Sequence, residues 1–261
     1  MINKIAKNIW KIGGGTWNNT SPACSSEDDC NVYLIKAENS LLLVDSGRKK
    51  GKPVIEKNLQ EAGFKPEEIT DILLTHSHFD HCDCISKWQS ESSSNLHMSD
   101  IGAEYIKNCD HRLIGYQIEG PDYVFDPFKI DHQIKDSETF SIGSLMIKAY
   151  AMPGHTPDSM IFETDIEGEK IWISGDIVFG KGKTTGELGA IGWLNILWQS
   201  DLRVYKDSFE KMLGLPLPDI LLPGHGFTVA GKDYIKKVLE ASLQTVETML
   251  KDPNIRHTGL Q

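Results

Sequence analysis

Short apolar runs rich in β-branched residues alternate along this chain with segments in which apolar residues recur at helical spacing. The apolar runs predict strands at Ile9–Ile12, Asn31–Lys36, Leu41–Asp45, Asp71–Thr75, Phe140–Ile142, Leu145–Ala151, Met160–Glu163, Ile171–Ser174 and Asp219–Leu222. The periodic segments predict helices at Pro53–Ala62, Cys84–Trp88, Ile101–Cys109, Leu202–Leu213 and Asp233–Leu250. Ser99 or Asp100 is the expected N-cap of the third helix. Strands followed by a helix occur in both halves of the chain, which indicates an α/β protein.

Four candidate metal ligands lie within six residues, directly after the predicted strand Asp71–Thr75. They are His76, His78, Asp80 and His81. Residues two apart in an extended segment face the same side, so the imidazoles of His76 and His78 can reach one ion. Asp80 and His81 fall where the chain turns into the next helix and can be aimed at a neighbouring ion. A purely structural role does not explain four potential metal ligands within six residues, so the run predicts a metal site.

Three further candidate ligands each follow another predicted strand. His155 lies in a Gly-His-Thr-Pro turn, Asp176 follows a glycine, and His225 lies between two glycines. Taken alone, each has an ordinary structural explanation as part of a turn or a helix cap. Together they supply the ligands that the first run lacks, and loops at strand ends gather into sites. The sequence therefore predicts one cleft that binds two cations.

Length and charge restrict the kind of protein. The 261 residues, 39% of them hydrophobic, can bury a full core, and the spread of ligands argues for a single domain over residues 1–261. A net charge of −10 disfavours nucleic acid as a partner, because proteins that bind phosphate backbones usually carry a basic stripe. No apolar run approaches the ~18 residues of a membrane span, and the first ten residues lack the core of a signal peptide. We therefore expect a cytoplasmic protein.

Five cysteines in a chain without an export signal indicate reduced thiols rather than a disulfide framework. Cys82 and Cys84 directly follow the ligand run. We expect their thiols to pack beneath the site, and a redox or ligand role is the alternative. Cys24 and Cys30 lie in a polar loop and could pair in an oxidising environment.

The His-x-His-x-Asp-His run, with the later His, Asp and His and the early Asp45, resembles the metallo-β-lactamase superfamily over about residues 31–226. The resemblance implies a four-layer αβ/βα sandwich of two mixed β-sheets flanked by helices, with the metals at one edge. It assigns one metal to His76, His78 and His155, the other to Asp80, His81 and His225, and makes Asp176 the bridge. It also places Asp45 behind the ligands. That role is physically reasonable, since a metal-bound imidazole normally needs a carboxylate or carbonyl on its other nitrogen.

The resemblance also implies a chemistry. Nitrogen and oxygen ligands without a thiolate suit zinc, and iron or manganese are possible, so we expect two zinc ions. A water activated between them would attack a carbonyl of a small-molecule ester, thioester, lactone or amide. Asp80 would both bind metal and pass a proton to the leaving group, a catalytic role that the family suggests. Glyoxalase II and lactonases have a similar ligand set. The alternative is an oxidoreductase similar to persulfide dioxygenases, which hold a single iron.

Two further stretches are candidates for shaping the substrate pocket. The apolar segment 182–198 contains Trp193 and Trp198 and could be a lid, a pocket wall or a homodimer contact. Three glycines at 13–15 begin a loop that is expected to border the cleft, with Trp17 as a candidate substrate contact. These glycines do not predict a phosphate-binding loop, because no Gly-Lys-Ser/Thr follows them.

Overall fold

The computed structural model describes residues 2–16, 23–110, 120, 123–252 and 254. Within these ranges the chain forms two large β-sheets and one short two-stranded sheet, with helices on the outer faces of the large sheets. Both large sheets mix parallel and antiparallel strands.

The first large sheet has seven strands, which lie side by side in chain order. They are β1 Asn3–Ala6, β2 Ile9–Gly13, β3 Val32–Ala37, β4 Ser40–Val44, β5 Asp71–Leu73, β6 Asn95–Ser99 and β7 His132–Ile134. Strands β1 to β4 pair antiparallel, and β4 to β7 pair parallel. Parallel neighbours need crossover connections. In the described part of the chain, the α-helices before β7 are α1 Lys52–Glu61, α2 Phe79–Cys82, α3 Ile85–Ser92 and α4 Asp100–Lys107.

The second large sheet has six strands, ordered β15-β14-β11-β10-β9-β8. The strands of the second half are β8 Thr139–Ile142, β9 Leu145–Ala151, β10 Met160–Ile166, β11 Glu169–Gly175, the short pair β12 Val178–Phe179 and β13 Ala190–Ile191, then β14 Ile220–Pro223 and β15 Val229–Ala230. Its helices are α5 Leu202–Gly214 and α6 Lys232–Lys251. None of the helices in the described ranges has the length and hydrophobicity of a transmembrane segment.

The core lies in three layers of apolar contact. Between the sheets, side chains such as Tyr33 and Leu73 of the first sheet and Phe162 of the second form one buried cluster. The outer face of the first sheet packs on α1, α3 and α4, and that of the second sheet on α5 and α6. Since both faces of β4 are covered, every residue of that strand is buried, and the four residues after Ser40 form a continuous apolar run. The layers follow the order helix, sheet, sheet, helix, which confirms the predicted sandwich.

Most of the predicted elements are present, with shifted ends. Strand β5 ends at Leu73 rather than Thr75, and α3 runs on to Ser92. Ser99 is the N-cap of α4, because its hydroxyl accepts the N–H of Gly102 at 3.0 Å. The sequence pattern missed β1, β6, β7 and the short strands β12, β13 and β15. The sequence of β6, Asn-Leu-His-Met-Ser, has no β-branched apolar residue, and pairing with its neighbours determines its conformation.

Candidate metal centre

The seven predicted ligands meet at one edge of the sandwich, on loops that follow strands of both sheets. The first four follow β5, where the chain is irregular through His78 and then turns into α2. His155 follows β9, Asp176 directly follows β11, and His225 follows β14. All seven side chains are buried. The two sheets thus bring together residues that are far apart in the sequence.

The first donor group comprises His76, His78, His155 and Asp176, whose donor atoms lie within 4.8 Å of one another. His155 Nε2 lies 3.1 Å from His78 Nδ1 and 3.7 Å from Asp176 Oδ2. The ring centroids of His76 and His78 are 4.6 Å apart, so these two imidazoles converge. Three imidazole nitrogens and a carboxylate oxygen at this spacing could hold a transition-metal ion.

The second donor group comprises Asp80, His81, Asp176 and His225, again within 4.8 Å of one another. His225 Nε2 lies 3.1 Å from Asp80 Oδ2 and 3.4 Å from Asp176 Oδ2. Asp176 Oδ1 lies 3.3 Å from His81 Nε2. Asp176 therefore belongs to both groups and connects them.

Several donor atoms in these groups have no partner in the protein. Among the described residues, the buried Nε2 atoms of His76 and His81 and the Oδ1 atom of Asp176 make no hydrogen bond. The 3.3 Å approach of His81 to Asp176 is too poorly aligned to be one. An unsatisfied buried polar group costs about 1–3 kcal/mol, so several of them converging on one point would be unfavourable without a ligand. A cation would satisfy all of them, and the residues present fit that role.

Burial determines the protonation of the first group. It lowers the pKa of His76, His78 and His155, which favours the neutral imidazoles that metal coordination requires. Burial also opposes charge on His225, but the neighbouring Asp176 carboxylate outweighs it, and the pKa of His225 is raised to about 9. A cation at the second group must therefore displace a proton from His225.

Asp45 lies behind the second group, where the resemblance placed it. Its Oδ2 accepts a hydrogen bond from His81 Nδ1 at 2.8 Å, and its Oδ1 accepts the backbone N–H of Thr75 at 2.9 Å. The bond to Nδ1 leaves Nε2 of His81 as the nitrogen that faces the other donors. The carboxylate thus fixes both the orientation and the tautomer of the ring. Asp45 has a φ of 56°, in the left-handed region, which Asp and Asn adopt more readily than most residues.

His155 is held by residues whose role the sequence did not indicate. Its Nδ1 donates to the backbone carbonyl of Trp193 at 2.7 Å. The neighbouring Gly192 donates its N–H to the hydroxyl of Tyr205 at 3.0 Å, and a Cβ at Gly192 would lie 1.9 Å from the carbonyl oxygen of Asp176. The Tyr205 hydroxyl also donates to a backbone carbonyl just after β11. Tyr205 lies on the apolar face of α5 like any core residue, so no local signal reveals this role.

The turn that carries His225 is held by the beginning of β3. The side-chain amide of Asn31 donates to the carbonyls of Pro223 at 2.7 Å and Gly226 at 2.9 Å. The Tyr33 hydroxyl donates to the Pro223 carbonyl at 2.7 Å. The sequence analysis missed both residues. An asparagine at the start of an otherwise apolar strand was the available signal, since a buried amide needs partners.

A cavity of about 390 Å³ opens onto the two donor groups. Trp193 and Trp198 line it, together with Phe79 and Phe179. The end of the segment 182–198 therefore forms a wall of the cavity. Trp17, the other candidate pocket residue, lies outside the described residues.

None of the five cysteines belongs to either of the two donor groups. All five are free thiols, so Cys24 and Cys30 are not paired. Cys82 and Cys84 are buried in the cluster between the first sheet and its helices, as expected for thiols that pack beneath the site. Burial raises the pKa of Cys84 to about 12, which keeps it protonated and unreactive.

Comparison with known proteins agrees with this architecture. The family model of the metallo-β-lactamase superfamily matches residues 26–225. A probable metallo-hydrolase of Bacillus subtilis is 25% identical over 196 residues, which cover 75% of this chain and 84% of the relative. An atrochrysone carboxyl ACP thioesterase of Aspergillus fumigatus is 27% identical over 230 residues, which cover 87% of this chain and 59% of the relative. A probable hydroxyacylglutathione hydrolase of Schizosaccharomyces pombe is 26% identical over 191 residues, which cover 72% and 59%.

Solved structures show the same fold. A metallo-β-lactamase of Cronobacter sakazakii, a mutant in its HARLDQ motif, superposes with a TM-score of 0.73 at 19% identity and covers 96% of both chains. A subclass B3 metallo-β-lactamase of Bradyrhizobium japonicum has a TM-score of 0.68 at 18% identity, covering 95% of this chain and 93% of the other. The family match spans the whole donor set, from the residues before Asp45 to His225. This chain therefore belongs to the metallo-β-lactamase superfamily and is a metal-dependent hydrolase.

Proposed function

We propose that the chain is a binuclear zinc hydrolase that cleaves an ester, thioester, lactone or amide bond in a small molecule. The observation that carries this proposal is the sharing of Asp176 between two groups of four buried donors. One ion would be held with His76, His78 and His155, and the other with Asp80, His81 and His225. Both sets offer nitrogen and oxygen donors, which suit zinc and are also used by iron and manganese.

The ions and the side chains of the protein would have different roles in the reaction. Two zinc ions, when bound, lower the pKa of a bound water toward about 7 and polarise a carbonyl oxygen. Burial keeps the imidazoles of the first group neutral, so that their lone pairs are available. Asp80 lines the cavity, and its Oδ2 lies 3.1 Å from His225 Nε2. Its carboxylate is the chain's group for carrying a proton to the leaving atom.

The cavity supports a small substrate. Its volume of about 390 Å³ is near the lower end of the ~300–1,000 Å³ typical of small-molecule sites. One relative is a thioesterase and another a probable hydroxyacylglutathione hydrolase, so acyl thioesters are the first substrates to test.

Metal analysis and a substrate panel test the proposal. We expect about two zinc ions per chain, and hydrolysis of at least one of S-lactoylglutathione, an acyl-homoserine lactone, an acyl thioester and a cephalosporin, with a phosphodiester as the negative case. About one iron per chain with oxygen uptake on a persulfide would replace this proposal with the dioxygenase alternative.

The role of Asp80 has its own test. Asp80→Asn should lower kcat by about 100-fold or more, the usual contribution of a positioned proton-transfer group. Asp201→Asn is the matched control. It removes a carboxylate outside the cavity lining, and asparagine can keep the N-cap bonds that Asp201 makes at the start of α5. Activity of Asp80→Asn within a factor of two of the unmodified protein would contradict the assigned role.

A further inference from the structure

Aromatic rings border both donor groups. The ring of Trp198 lies 4.8 Å from that of His78 in the first group. The ring of Phe179 lies 5.0 Å from that of His225 in the second group and 6.2 Å from that of Trp193. A substrate carbonyl placed at the donors would therefore have its substituents between aromatic surfaces.

Trp193 is the exposed member of this lining. It is 58% exposed, whereas Trp198 is 8% exposed. Apolar surface left in water is unfavourable by about 25 cal/mol per Å², and an exposed indole in a concave site is typical of a ligand contact. Of the aromatic residues that line the cavity, Trp193 therefore leaves the largest fraction of its surface available for a substrate.

The backbone beneath the indole is fixed. The Trp193 carbonyl accepts the Nδ1–H of His155 at 2.7 Å, and the preceding Gly192 is bonded to the Tyr205 hydroxyl at 3.0 Å. The backbone that carries the indole is thus tied to the metal ligand His155. A wall whose backbone is already ordered loses less conformational entropy when a ligand binds to it.

The charges at the cavity mouth restrict the substrate further. Among the described residues, the charged side chains in the lining outside the donor groups are Glu27, Asp28 and Lys50. Asp28 is paired with Arg48, and Glu27 and Lys50 are opposite in charge, so these residues offer no excess positive charge that would attract an anionic group. The aromatic lining and this charge balance together favour an uncharged, apolar substituent.

We infer that Trp193 is a specificity-determining residue that selects substrates with an apolar, planar acyl group such as an aryl group. The inference rests on the proposed hydrolase function. In the thioester case, water adds its hydroxyl to the acyl carbon, the carbon–sulfur bond breaks, and the remaining proton goes to sulfur. The products are an aryl carboxylic acid and a thiol.

A pair of thioesters that differ only in the acyl group tests the inference. The benzoyl and acetyl thioesters of N-acetylcysteamine are compared in the zinc-loaded protein and in Trp193→Ala. We expect Trp193→Ala to lower kcat/KM for the benzoyl thioester about 10-fold, mainly through KM, with a loss at least fivefold smaller for the acetyl thioester. Trp193→Phe, which keeps an aromatic surface, should recover most of the benzoyl activity.

Leu197→Ala is the matched control. Leu197 is 57% exposed, lies in the same segment and is not among the described residues that line the cavity. It should leave the benzoyl-to-acetyl ratio unchanged. Zinc affinity, measured by competition with a chelator, should stay within twofold in Trp193→Ala, since the substitution keeps the carbonyl that holds His155.

Three outcomes would overturn the inference and leave the hydrolase proposal intact. They are an equal loss on both thioesters in Trp193→Ala, the same change in Leu197→Ala, and an unmodified protein that cleaves the acetyl thioester as efficiently as the benzoyl one. Failure of the zinc-loaded protein to cleave any thioester, ester, lactone or amide offered would instead overturn the proposed function, and the inference with it.

Discussion

Replacing Asp45 by asparagine isolates the role of the charge behind the second donor group. Asparagine tolerates the left-handed φ of 56° at this position, so the backbone can keep its conformation. Its Oδ1 can still accept the Thr75 N–H, but the atom opposite His81 Nδ1 becomes an NH₂ donor. To accept that donor, His81 must carry its proton on Nε2, the nitrogen that faces Asp80 and Asp176.

The expected loss follows from this change of tautomer. Removing a partner that orients a metal-bound histidine typically lowers metal affinity 10- to 100-fold. This corresponds to about 1.4–2.7 kcal/mol. Asp45→Asn should weaken the binding of the second ion, because His81 belongs to the second donor group and not to the first. The protein should therefore bind one zinc as before and a second zinc more weakly.

Zinc titration against a chromophoric chelator measures both affinities. Asp71→Asn is the matched control, since Asp71 Oδ1 pairs with His97 Nε2 at 2.9 Å in the first sheet, outside both donor groups. It should change neither zinc affinity. Two zinc ions bound by Asp45→Asn with the affinities of the unmodified protein would refute the argument that Asp45 sets the tautomer of His81.

Three further predictions concern buried groups near the centre. The Asp176 carboxylate raises the pKa of His225 to about 9 against the effect of burial. Protonated His225 therefore stabilises the metal-free protein, and this stabilisation is fully present below about pH 6.5. Its melting temperature should therefore fall as the pH rises through about 9, and a flat profile would contradict this. Burial lowers the pKa of Lys11 to about 8, so the charged amine of Lys11 destabilises the folded protein at pH 7. This loss of stability disappears as the pH rises from about 8 to 10.5. Lys11→Met should raise the free energy of unfolding in urea at pH 7 by about 1–3 kcal/mol, and a loss would show that the bond from its amine to a backbone carbonyl outweighs desolvation. Tyr205→Phe leaves the N–H of Gly192 without its acceptor and should lower the free energy of unfolding by about 1–3 kcal/mol in the same assay. An unchanged free energy of unfolding would contradict this prediction.

Much of the candidate site could be predicted because its signals are local. The run of four ligands after β5 lies within six residues, and His155, Asp176 and His225 each mark a strand end. The hydrophobic periodicity that placed those strands depends only on neighbouring residues. It failed at β6 and β7, where pairing with other strands, rather than local preference, determines the conformation.

The supporting contacts could not be predicted in the same way. The bonds from Tyr205 to Gly192, and from Asn31 to the turn of His225, join residues that are distant in the sequence. They exist because helix α5 packs on the second sheet and because β3 begins beside the turn after β14. Tyr205 is an ordinary residue for a buried helix face, and Asn31 indicates only that a buried amide needs partners, so the partners themselves become visible only in three dimensions.

Residue identity and local periodicity were enough to show which side chains can bind metal and at which strand ends they lie, and the family resemblance implied that Asp176 is the bridge. The three-dimensional structure adds that the donors are close enough for Asp176 to belong to both groups, and that Trp193 faces the cavity while its carbonyl holds His155. The parallel pairing of β11 with β14 brings the ends of these strands together, and with them Asp176 and His225. The physical reason is that distances between donors depend on how sheets pair and pack, and no short stretch of sequence encodes that arrangement.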